Sequence, residues 1–75
     1  METRYQITKK FAAEATESGM AFALTRLAIQ DVYIKQMDAE QTKEFLDNIM
    51  KNYRFAKASA DSIVHDAWRE VARSI

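Results

Sequence analysis

From Leu46 onward the apolar positions recur at spacings of three and four: Leu46, Ile49, Tyr53, Ala56, Ala60, Ile63 and Ala67, with Val71 one further turn on. Side chains spaced this way share one face of an α-helix, whereas a strand alternates its faces every residue. The pattern therefore predicts an amphipathic helix, with heptad spacing as far as Ala67. Met50, Val64, Trp68 and Ile75 widen the stripe. Asp38-Ala39-Glu40-Gln41 has the spacing of a capping box, and Glu40 falls in the first turn, where the helix dipole favours an acid. The helix is expected to start at Ala39. From there two courses are open. One is a single helix to about Ser74. The other is a break near Asn52–Ser59, with Ser59 or Asp61 capping a last helix. Phe55 lies off the stripe and would be exposed on an unbroken helix, which together with Asn52 favours the break.

The N-terminal half repeats the same logic. Thr3-Arg4-Tyr5-Gln6 is a second capping-box pattern, so a first helix is expected from about Arg4, with Ile7, Phe11 and Ala15 on one face. Gly19 is the natural residue to end it, because glycine accepts the left-handed backbone of a helix terminus. A second helix follows from Met20 to about Gln36. At about 100° per residue, Met20, Leu24 and Leu27 fall on one side of it and Phe22, Ile29 and Tyr33 on nearly the opposite side. A helix apolar on two faces needs partners on both.

Composition fixes the class. The chain has 75 residues, no proline, no cysteine and one glycine. So few turn-forming residues cannot build a strand protein, and helix formers fill most other positions. An all-α single domain over residues 1–75 follows, either a compact bundle of short helices or a long hairpin, Arg4–Gln36 against Ala39–Ser74. The near-equal arms resemble, in outline, small dimeric helical hairpins that assemble into four-helix bundles. That resemblance is one of pattern and carries no functional residue.

Without cysteine, a disulfide framework and a thiolate zinc site are excluded. Cores of this size supply only about 3–5 kcal/mol and usually need a staple. Self-association is the common device that remains. Phe22, Ile29 and Tyr33 are the expected intermolecular face. The charged start of the chain does not read as a signal peptide, and the apolar run Met20–Leu24 is too short to span a bilayer. A cytoplasmic protein is expected.

Eleven basic and eleven acidic residues cancel, which weakens the field a nucleic-acid binder relies on. One local candidate remains. Lys51, Arg54, Phe55 and Lys57 interleave cations with an aromatic, a combination able to contact phosphates and stack on bases. The plain reading is a basic stretch of helix surface. A helix-turn-helix drawn around Phe11, Ala15 and Gly19 is weaker, since its reading helix would present Phe22, Ile29 and Tyr33 where polar side chains are needed. Asp61, His65 and Arg69 form a charge ladder at helical spacing, and no further metal ligand stands near them in sequence. Glu14 with Glu17, and Glu40 with Glu44, read as solvated pairs. No catalytic constellation and no cofactor motif is found. The expected function is a non-enzymatic helical interaction module, a homodimer that binds another protein as a regulator, adaptor or inhibitor. A nucleic-acid-associated protein or transcriptional regulator is the alternative.

Overall fold

The computed structural model describes residues 2–74, Ser74 by its backbone alone. Ile75, counted above with the stripe, lies outside the described residues. The chain forms three helices, α1 (Arg4–Glu17), α2 (Phe22–Ile34) and α3 (Ala39–Ser74), and no strand among the described residues.

Local chemistry sets the ends. The Gln6 N–H donates to Thr3 Oγ1 at 3.2 Å, and the Thr3 N–H donates to Gln6 Oε1 at 2.9 Å, closing the expected box at the start of α1. Asp38 and Gln41 exchange the same pair of bonds at 2.8 and 3.1 Å before α3. Each box satisfies backbone donors that a helix start leaves unpaired.

α1 ends at Gly19, whose φ is 78°. The Gly19 N–H reaches Thr16 O at 3.1 Å and the Met20 N–H reaches Ala15 O at 2.9 Å, the bonding of a Schellman motif. α2 ends with the same motif, but its left-handed residue is Gln36, with φ 52°. There the Met37 N–H donates to Val32 O at 3.0 Å. Expected to run to Gln36, α2 stops at Ile34 because the chain turns at a residue with no marker for it in the sequence. A β-carbon in this backbone region costs about 1 kcal/mol.

α1 and α3 run parallel and α2 runs back between their ends. At one end Arg4 Nη1 donates to Met37 O at 3.2 Å; at the other the Tyr53 hydroxyl donates to Ser18 O at 3.3 Å. The core between them is Phe11 and Ala15 from α1, Met20 from the turn, Ala28 and Val32 from α2, and Leu46 and Met50 from α3. Ile7, Ile29, Met37, Phe45, Ile49 and Tyr53 pack around its rim.

The packed body ends near Tyr53, but α3 does not. It continues unbroken through Asn52–Ser59, so the favoured break is absent. The stretch holds no glycine or proline to interrupt it, and Phe55 is simply exposed at 74%. At 1.5 Å per residue α3 is about 54 Å long, and it sets the 56 Å length of a molecule only 19 Å across. Gly19 separates α1 from α2, which at 14 and 13 residues are each little more than a third the length of the 36-residue α3.

Candidate functional site

From Arg54 to Arg73 every residue is exposed. This part of α3 is an arm beyond the body, and the apolar stripe keeps its phase along it. Leu46 and Met50 are buried, while Ile63, Val64, Trp68 and Val71, on the same side of the same helix, stand 54–71% exposed. Soluble monomers seldom leave so contiguous an apolar surface open.

A second open apolar surface borders the first. α2 turns Thr25, Ala28 and Val32 inward, an edge lying between the two faces read from the sequence. Small side chains at Thr25 and Ala28 permit the close approach, and aliphatic and aromatic positions alone do not reveal it. Leu24 and Leu27 are left at the flank facing α3, 54% and 61% exposed. Together with Met20, Phe45, Ile49 and Tyr53 they line an open groove of about 460 Å³ between α2 and α3. Asp31 is the charged residue in its lining.

Phe22, Ile29 and Tyr33 occupy the other flank of α2 and do not share one environment. Ile29 packs against the core. The Tyr33 ring carries the Arg4 guanidinium 4.3 Å above its centre, a cation–π contact that ties α1 to α2. Phe22 stands free, 78% exposed.

The basic segment is also divided. Lys57 donates from Nζ to Ser18 O at 3.2 Å, capping the end of α1. Arg54 approaches Glu14 at 3.9 Å. Lys51 and Phe55 point from the outer side of α3. Asp61, His65 and Arg69 lie exposed on the arm.

Two polar details complete the body. Thr42 is fully buried, and its hydroxyl has no hydrogen-bond partner. Along the seam of α1 with α3, Lys10 Nζ meets a Glu2 carboxylate oxygen at 2.6 Å. Its hydrogen bond, with smaller help from the charges of Lys10 and Lys43, holds the Glu2 carboxyl below its ordinary value. Exposed pairs of this kind add little stability. No helix among the described residues is long and apolar enough to cross a membrane.

Comparison with protein-family models, with curated proteins and with solved structures gives no match. The arm and the groove therefore have to be read by their own chemistry.

Proposed function

We propose that this protein is a non-enzymatic helical interaction module that works as a self-associated pair. The supporting observation is the bare arm. Its stripe, Ile63, Val64, Trp68 and Val71, continues the face that α3 uses to build the body, yet meets no other helix. An isolated helix of the arm's length is marginal in water. Packing against a partner is the ordinary source of its stability, and a second chain supplies an identical stripe. The faces left outside the pair, Phe22 among them, would remain for a further protein.

The nucleic-acid reading has less to stand on. Lys57 and Arg54 are turned to the end and side of α1, which leaves Lys51 and Phe55 as the outward pair of the segment.

Sedimentation equilibrium tests the proposal, on the wild-type chain and on Trp68→Glu, in a series reaching about 50 μM, where ordinary subunit contacts hold. A dimer for the wild type and a monomer of unchanged body for the variant are expected. A wild-type monomer across the series would remove the proposal.

A further inference from the structure

We infer that the two chains exchange arms: each α3 arm lies antiparallel along its partner's α3, and its far end fills the partner's groove between α2 and α3. This rests on the proposed self-association and specifies its geometry and its residues.

Four observations carry it. The first is that both unpartnered apolar surfaces lie along one track of one helix. At about 100° per residue, Phe45 and Ile49 of the groove and Ile63 and Ala67 of the arm fall on the same edge of α3. A partner placed on that edge covers both.

The second is direction. α1 and α2 already cover the stripe side of α3 as far as Tyr53 and Lys57. In a parallel, in-register pair each arm lies beside its partner's arm and points away from both bodies, so neither arm reaches a groove. An antiparallel partner leads its body away past the end of the arm, so the two bodies stand at opposite ends.

The third is size. Ala56, Ser59 and Ala60 sit where the arm leaves the body, and small side chains let two helices cross closely. The bulky Trp68 and Val71 sit at the far end. With the twofold axis near Ala60, Val71 of one chain comes level with Ile49 of the other, and with Leu24 opposite it in the groove. Trp68 then lies over Leu24 and Leu27, two large side chains that α2 otherwise leaves to water.

The fourth is area. The exposed surface of Ile63, Val64, Trp68 and Val71 on the arm and of Leu24 and Leu27 in the groove amounts to roughly 800 Å² per chain, the scale of a standard stable interface. The arm cannot fill its own groove, because α3 is continuous and points away from it.

The chain has no cysteine, so placed cysteines report on this geometry without background. Three variants are needed: Leu24→Cys, Val71→Cys and Ala60→Cys. Mixing the first two under mild oxidation is expected to give a disulfide-linked heterodimer at least tenfold in excess of either homodimer. Ala60→Cys is expected to link to itself across the axis. Phe22→Cys, on the opposite flank of α2, should not link to Val71→Cys. The untouched wild type provides a check free of mutation, since Trp68 is its one tryptophan. Its emission should shift to the blue as concentration rises through association. If the wild type sediments as a dimer but Leu24→Cys and Val71→Cys fail to link, or Phe22→Cys links in their place, arm exchange is overturned and self-association stands. A dimer whose tryptophan emission does not move overturns arm exchange as well. A monomeric wild type overturns both.

Discussion

The two halves of α3 are the same helix under different conditions. From Ala39 to Tyr53 the stripe is covered by α1 and α2, and Leu46 is 1% exposed. Past Lys57 the stripe continues with residues of equal apolarity, and Trp68 is 71% exposed. Backbone hydrogen bonding is alike in both halves. The difference teaches where helix stability comes from. Local bonds and propensity bring a helix close to balance in water, and burial of its apolar face decides the outcome. The first half obtains that burial within the chain; the second half finds none there, and under the proposed pairing a second copy supplies it.

The sharpest contrast compares Leu46→Ala with Ile63→Ala. Truncating a filled core position costs about 3 kcal/mol, close to everything a core this small supplies. Leu46→Ala should therefore leave the body largely unfolded in a denaturant titration at low concentration. Ile63→Ala alters an open position and raises helix propensity, so its unfolding free energy at submicromolar concentration should stay within about 0.5 kcal/mol of wild type. Its self-association should weaken at least tenfold. Equal losses of stability for the two variants would erase the distinction between body and arm.

Smaller effects sharpen the description of the body. Gly19→Ala puts a β-carbon on a residue with φ 78°, and the nearest atom it meets is Lys57 Nζ at 4.0 Å. There is no clash, so the cost is that of the backbone alone, about 1 kcal/mol. Gln36→Gly makes the opposite change at the second Schellman turn and should stabilise by about 1 kcal/mol. Thermal unfolding of the two variants should move the midpoint in opposite directions, and neither should alter the dimer dissociation constant. Smallest of all is Thr42→Val. It replaces an unpaired buried hydroxyl by a methyl of the same shape, and denaturant unfolding should show no loss, or a gain of up to about 1 kcal/mol.

What was legible in the residues follows from range. Thr3 with Gln6, Asp38 with Gln41, and Gly19 act within one turn of chain, so their spacing alone announces the caps and the first stop. Gln36 adopts the same backbone as Gly19 with no sequence marker, because the packing of Met37 and Val32 holds it there. The inward edge of α2 was hidden for a related reason. Thr25 and Ala28 are unremarkable in hydropathy, and only the approach of α1 and α3 selects them over the larger residues on either side. Asn52 and Phe55 argued for a break in α3, but neither interrupts backbone bonding, and an exposed phenylalanine is tolerable on a helix. As for the site, the surplus of apolar helix surface could be read from the chain, whereas its location could not. Phe22, Ile29 and Tyr33 drew attention on α2. A further open surface lies on the arm of α3, whose stripe reads as core until the length of α1 and α2 is known.

Amide hydrogen exchange of the wild-type chain, followed peptide by peptide across a dilution series, tests most directly whether the arm depends on a second copy while the body does not. Amides of residues 39–53 should already be protected when dilute, with concentration adding only the further protection that a partner arm in the groove confers. Amides of residues 58–74 should exchange quickly when dilute and become protected as concentration rises, in step with the dimer fraction. Arm protection that stays the same from nanomolar to about 50 μM, whether high or low, would contradict the dependence on a partner chain.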